Sequence, residues 1–177
     1  MASTIYHMDS ANLFIGDEDP TNSLYLVLKN IKLPGLEEIK KEHLGGGALG
    51  KVSMGMGAIE ALVMTFNLDG FTPDVLSRFM SPLGRLNYTI RGNVRDFFEQ
   101  KDIEVKAILQ GRMTKVELSE FDRDKGLDTS YEITENVHYE LYFDGQEKIY
   151  FDLRTGRMRI DGVEVNRQRN INLGIGA

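Results

Sequence analysis

The sequence predicts a mainly β protein with long strands, one short α-helix and a long extended hairpin arm. Apolar and polar residues alternate with a period of two through several long segments, as expected for strands whose side chains point alternately to opposite faces. Two Asp-Gly pairs separate such segments and predict tight hairpins. The chain has 177 residues, so we expect residues 1–177 to form a single domain.

The first predicted strand and the arm follow one another in the N-terminal third. Residues 24–28 are apolar throughout and are predicted as a strand buried on both faces. Residues 36–64 form the predicted arm: 36–43 is highly charged, 45–50 is rich in glycine, and Val52, Met54 and Met56 alternate with small residues. Two strands joined by such a tip have few residues to bury on their own subunit. Such an arm either stays in solvent or docks on a neighbouring molecule, and the alternation of its apolar residues favours docking.

The short helix is predicted over residues 72–80. Thr72 offers a capping hydroxyl, Pro73 fits the first turn, and Asp74 lies near the positive helix end. The apolar stripe of this helix consists of Val75, Leu76 and Phe79.

The remaining strands are predicted from alternation. Residues 86–90 form one alternating run. Two more follow, with apolar residues at odd positions over 103–109 and at even positions over 116–118. Gly111 lies between these two runs and predicts a bulge or bend. The clearest run is 131–143, where the odd positions are mostly apolar and Asp144-Gly145 follows. Asp161-Gly162 predicts a second hairpin.

Composition argues against several classes of function. The net charge is -6, with 27 acidic and 21 basic residues, which does not favour general binding to nucleic-acid phosphates. There is no cysteine, so disulfides and thiolate chemistry are excluded. The N-terminal residues lack the basic and apolar regions of a signal peptide, and no apolar run reaches the about 18 residues of a membrane span.

Motifs for catalysis or cofactor binding are incomplete. Gly45–Ser53 nearly matches a P-loop, but Val52 stands where the magnesium-binding hydroxyl belongs. His138 and Glu140 share a polar strand face, but no third metal ligand accompanies them, and a solvated face explains them better. We therefore predict no catalytic residues, no cofactor and no metal site.

Several stretches, in order, resemble the major tail tube proteins of contractile-tailed phages and R-type bacteriocins. These are Asn12–Ile15, a strand ending in Leu-Pro over 27–34, the return strand of the arm with the segment after it (Met54–Ala61), and the C-terminal region from Ile160 to Ile175. The last resembles the family's closing hairpin, basic stretch and Asn-Leu-Gly-Ile-like end, with Asp161 in place of the usual asparagine.

The resemblance implies a tail-tube β-barrel or sandwich, more distantly similar to the Hcp protein of type VI secretion. Such subunits form hexameric rings that stack into a tube inside a contractile sheath, and DNA passes through the lumen in phages. The implied partners are further copies of the chain, the sheath protein, and the baseplate or tail initiator and terminator proteins. The implied location is the virion tail, after assembly in the host cytoplasm.

Two groups of residues are candidate contacts between subunits. The candidate inter-ring contact consists of Gly45, Gly46, Gly47, Leu49, Lys51, Val52, Met54 and Met56. The candidate C-terminal contact consists of Asn172, Leu173, Gly174 and Ile175.

Two other functional classes remain open at this stage. Long alternating strands also build small β-barrels that bind an apolar ligand; such a protein would stay monomeric and keep its arm folded on itself. An enzyme with paired carboxylates would need a cleft with perturbed acids.

Overall fold

A computed structural model describes residues 4–81 and 84–175. The protein is mainly β, with 56% of residues in strands and 8% in helices, and its sheets are antiparallel. The strands are β1 (Tyr6–Ile15), β2 (Leu28–Lys32), β3 (Glu38–His43), β4 (Val52–Ile59), β5 (Met64–Asp69), β6 (Leu86–Asp96), β7 (Asp102–Leu118), β8 (Asp128–Phe143), β9 (Gln146–Asp152), β10 (Arg157–Ile160) and β11 (Val163–Glu164). The helices are α1 (Pro73–Leu76) and α2 (Arg167–Leu173), and a 3-10 turn spans Pro20–Asn22.

The main sheet branches at β8. Its path runs β1-β6-β7-β8-β9-β10-β11, and β2 and β5 branch from it. Strand β7 pairs along nearly the whole of one edge of β8. On the other edge, β5 pairs with the first half of β8 from Asp128 to Ile133, and β9 pairs with the second half from His138 to Phe143. The arm, β3 and β4, forms a separate two-stranded sheet.

The branch point is a bulge. Gln110 pairs with His138 and Arg112 with Thr134, so Gly111 faces three residues of β8, from Glu135 to Val137. The predicted irregularity at Gly111 is therefore confirmed, and its extra residues lie on the partner strand. A second shift in register, between Met113 and Lys115, accounts for the change of parity between the two predicted runs.

The core lies on the inner face of the curled main sheet. The odd residues of β8 that the sequence predicted as apolar and buried include Tyr131, Ile133, Val137 and Tyr139, and all four are buried. Tyr131, Ile133 and Tyr139 pack with apolar residues of the other strands, of the arm base and of α1: Leu13, Ile15, Leu62, Met64, Phe66, Leu68, Val75, Tyr88, Ile90, Ala107, Leu109 and Met113. Burial raises the pKa of Tyr88 and of Tyr139 to about 12.

The curl brings the two flanks of the sheet close together without closing it. The Leu24 amide donates to the Leu13 carbonyl at 3.0 Å, and Phe14 forms an isolated bridge with Ser23. The result is an open, strongly curved sheet.

Both predicted hairpins are confirmed. Asp144 and Gly145 have φ values of 51° and 73°, and Asp161 and Gly162 have 52° and 78°. Two successive positive φ angles are those of a type I′ turn, which suits the right-handed twist of the flanking strands.

The strand predicted over residues 24–28 is wrong. Residues 24–27 form a turn in which the Val27 and Leu28 amides both donate to the Leu24 carbonyl, at 3.1 and 2.9 Å. The turn packs Leu24 and Val27 against the core but leaves Tyr25 and Leu26 exposed. An unbroken apolar run therefore did not mean burial on both faces.

The helical predictions need two corrections. Helix α1 ends at Leu76 rather than at 80, with turns continuing to Met80, and the side chain of Thr72 makes no capping hydrogen bond. Helix α2 was not predicted, because its sequence is polar and has no apolar stripe. The signal that could have located its end is Gly174, which adopts the left-handed conformation typical of a helix C-terminus (φ 66°).

Among the residues that the structure covers, no helix has the length and apolar character needed to cross a membrane.

Candidate assembly surfaces

The arm is joined to the body only through its base. All residues of β3 are exposed, and so are those of β4 up to Gly57. At the base, the Glu60 amide donates to the Glu37 carbonyl at 2.8 Å, and the Gly57 amide donates to Glu38 Oε1 at 2.8 Å. Arg169 of α2 donates to the Gly57 carbonyl. These contacts fix where the arm leaves the body and leave most of its length in solvent.

One face of the arm carries the apolar candidates. Val52 pairs with His43 and Met54 with Lys41, so these side chains share a face with Met56, two residues along β4. All three apolar side chains are exposed, and Leu49 at the tip is completely so. A lone two-stranded hairpin is only marginally stable in water, and the single chain leaves the apolar face of this hairpin open to solvent.

The glycines of the tip are not required by the packing of a single chain. The Ala48 amide donates to the Gly45 carbonyl at 3.0 Å and forms a turn. A Cβ atom added at Gly46, Gly47 or Gly50 would have no neighbour within 4 Å, and none of these residues has a positive φ. Lys51, at the start of the return strand, pairs with Glu42 at 2.9 Å.

The C-terminal candidates lie at the end of α2. This helix is tied to the β9–β10 turn by two buried or half-buried amides: Asn166 and Asn170 both donate to the Gly156 carbonyl, at 2.5 and 2.8 Å. Asn172 accepts from Gln168 at 3.0 Å, and the Ile175 amide donates to the Asn170 carbonyl at 2.9 Å. The side chains of Leu173 and Ile175 are exposed.

The structure connects α2, which carries the C-terminal candidates, to the base of the arm. Arg169 connects α2 to β4 at Gly57, which is three residues from the candidate residue Met54. Sequence reasoning missed this junction, because Glu38, Gly57 and Arg169 are far apart in the chain and no short motif includes them.

Unpaired strand edges form a third surface. Strands β1 and β11 end the main path of the sheet, and β2 ends its branch. Apart from the contacts of Leu13 and Phe14 with residues 23 and 24, these outer edges have no strand partner among the described residues. Exposed edges of this kind invite pairing with another chain.

The polar groups that suggested chemistry are engaged within the fold. His138 Nε2 lies 2.8 Å from Glu140 Oε1, and its Nδ1 lies 3.0 Å from Asp152 Oδ2. Tyr142 donates to the other Glu140 oxygen at 2.7 Å, and this bond to a carboxylate raises the pKa of Tyr142 to about 12. Over residues 4–81 and 84–175, no group of three His, Asp or Glu side chains is arranged to hold a metal ion.

The near P-loop also lacks the required structural context. A P-loop opens a helix, whose N-terminal amides hold the phosphates. Gly45–Ser53 instead forms the hairpin tip and continues into strand β4.

Comparison with known protein families gives a match over nearly the whole chain. The family model described as phage tail tube protein FII matches residues 7–174, which is nearly the whole chain. A comparison with curated proteins gives no match.

Proposed function

Because the chain belongs to the phage tail tube protein FII family, we propose that it builds the inner tube of a contractile tail. As a member of this family it is a structural subunit of a phage tail tube. The finer proposal is that copies form hexameric rings, that the rings stack inside a sheath, and that DNA passes through the lumen. We propose no enzymatic role.

The observation that carries the proposal is the arm. Its β3–β4 hairpin leaves the body with an exposed apolar face of Val52, Met54 and Met56. Its tip has glycines at positions where the isolated chain has room for side chains. Glycine in such a place suits the close approach of another backbone. An arm of this kind is suited to reach from one ring to the next.

The partners follow from the same assembly. The unpaired edges of β1, β2 and β11 supply backbone groups that neighbouring copies within a ring can pair. The proposed outer partners are the sheath protein and the baseplate or tail initiator and terminator proteins. The virion tail is the location that the family indicates, and we propose assembly in the host cytoplasm. The net charge of -6 suits a lumen that repels DNA phosphates.

A small ligand-binding barrel is supported less well. Such a barrel closes around a cavity, whereas this sheet does not close. Its concave face is filled by core side chains such as Phe66, Tyr88 and Tyr131, all of them buried.

Charge on the apolar face of the arm tests the proposal. In Met54→Asp/Met56→Asp, docking would bury two unpaired carboxylates at a cost of several kcal/mol each, so we expect tube formation to be abolished. Both positions are exposed in the single chain, so the fold should persist by circular dichroism. Ser53→Asp is the matched control, because it adds a carboxylate to the opposite face of the same strand. Tubes are measured by pelleting and electron microscopy; tubes from the double variant equal to wild type would contradict the proposed role of the arm.

A further inference from the structure

A groove of about 650 Å³ lies between the arm base and the layer formed by the β9–β10 turn and α2. Its apolar lining consists of Leu36, Ile59, Phe151, Leu153, Met158 and Val165. Leu153 and Val165 are more than half exposed. The groove is thus an apolar surface that the chain leaves open to solvent.

The groove also carries arginines that have no close carboxylate partner. Arg157 and Arg169 line it, and Arg154 and Arg167 precede them closely in the chain. Among the described residues, none of these four arginines has a carboxylate within 4.0 Å. Arg169 donates to the Gly57 carbonyl, and the described carboxylates of a chain of net charge -6 leave all four guanidinium groups without an ion-pair partner at this distance.

The two carboxylates in the groove are hydrogen-bonded to other groups and form no direct ion pair with these arginines. Glu38 accepts from the Gly57 amide at 2.8 Å. Asp152 lies 3.0 Å from His138 and accepts from the Thr155 amide at 2.9 Å. The occupant that fits is therefore an apolar segment that brings its own negative charge.

The β6–β7 turn of the same chain has this chemistry. Phe97 and Phe98 are 64% and 66% exposed, their rings meet edge to face at 5.4 Å, and Glu99 follows them. The turn is fixed by Asp96, whose Oδ1 accepts from the Phe98 and Glu99 amides at 2.8 and 3.0 Å. Bonds from Glu99, Thr4 and Phe98 keep the pKa of Asp96 below its usual value. An ordered turn thus holds two aromatic rings in water beside a carboxylate.

The turn cannot reach the groove of its own chain. The β6–β7 turn lies at the end of the sheet where Val105 pairs with Phe143. The groove lies where the Leu153 amide donates to the Val137 carbonyl. Val137 and Phe143 are separated along β8 by about 20 Å at strand spacing. Contact between the two features therefore requires two molecules.

We propose that Phe97 and Phe98 of one copy insert into the groove of a neighbouring copy, with Glu99 facing the arginines. This contact rests on the proposed self-assembly and names one of its interfaces. Because the turn and the groove are different surfaces displaced along the strands, the contact is heterologous. A heterologous contact that does not close on itself propagates an open array, as the stacking of rings requires.

Engineered cysteines test the contact in a chain that has no native cysteine. In Phe98→Cys/Val165→Cys, both replaced side chains are exposed in the single chain, so the fold should tolerate them. We expect oxidation of the assembled protein to give a ladder of covalent oligomers beyond the dimer on a non-reducing gel. Each single variant should stop at the dimer. Phe121→Cys/Val165→Cys, which replaces another exposed phenylalanine, is the matched control.

The crosslinking gel tests the contact between the turn and the groove, whereas electron microscopy tests tube formation. A ladder from Phe98→Cys/Val165→Cys supports the contact even if no tubes are seen, in which case the tube proposal fails alone. The absence of a ladder overturns the contact, whether or not tubes form. If Leu49→Cys/Val165→Cys gave the ladder and Phe98→Cys/Val165→Cys did not, the arm tip would occupy the groove, and the proposed contact of the β6–β7 turn would be wrong.

Discussion

Gly111 has a packing reason to be glycine. A Cβ atom there would lie 2.1 Å from Asn136 Oδ1 and 2.8 Å from Ile133 Cγ2. Asn136 is buried, and its Nδ2 donates to the Leu62 and Ile133 carbonyls at 2.8 and 3.1 Å. Gly111 thus leaves room for Asn136, whose side chain connects the β8 bulge to the base of the arm.

We predict that Gly111→Ala lowers the free energy of unfolding by about 1–3 kcal/mol, the usual cost of an added group in a packed interior. Asn136 must shift to admit the methyl group and then loses one or both of its hydrogen bonds. Urea denaturation measures the effect. Gly50→Ala is the control, since its Cβ would meet nothing within 4 Å; equal stability of the two variants would show that the bulge adapts without cost.

At the scale of single residues, the sequence predicts turns well but predicts bulges only in part. Asp-Gly turns depend on two adjacent residues, so both were found. The irregularity at Gly111 was also found, but its extra residues lie on β8, and their arrangement depends on a bond from Asn136 to Leu62. No local pattern contains that bond.

Among the structural elements, the arm is the one with the least support. Strands β3 and β4 pair only with each other among the described strands, so each of them is hydrogen-bonded along one edge. By contrast, β7 pairs with β6 on one side and β8 on the other, and its inner face is buried. Local opening requires little free energy where few apolar contacts are broken.

We therefore predict that amides of residues 38–56 exchange with solvent much faster than those of β7 and β8 in the free subunit, and that assembly slows their exchange. If the free arm is largely disordered, ordering it on docking costs about 1–2 kcal/mol of backbone entropy per residue, so growth on a pre-formed end is favoured over spontaneous nucleation. Hydrogen exchange with mass spectrometry measures both states. Full protection of the arm in the monomer would contradict this prediction.

The errors at the element scale have a common cause. Residues 24–27 are apolar but form a turn that leads into β2, and the Leu24 amide there donates to the Leu13 carbonyl of β1. Helix α2 is polar but helical, because Asn166 and Asn170 hold it on the Gly156 carbonyl. In both cases a contact that is distant in sequence overrides the local pattern. The long strands of 86–143 were predicted because one face is buried along their length.

For the whole molecule, several surfaces of the single chain remain exposed, and we propose that neighbouring copies cover them. The arm, the edges of β1, β2 and β11, and the groove beside α2 all face solvent. The exposed arm was predictable from its charge and glycine content. The groove and the Phe97–Phe98 turn were not, because each is assembled from segments that only the fold brings together or holds apart.

Electron microscopy of the purified protein, alone over a range of concentrations and with short tail-tube ends as seeds, tests the central claim of self-assembly most directly. We predict hollow tubes of stacked rings, with faster growth from seeds than without them. Only single subunits, at every concentration and with every seed, would contradict the claim.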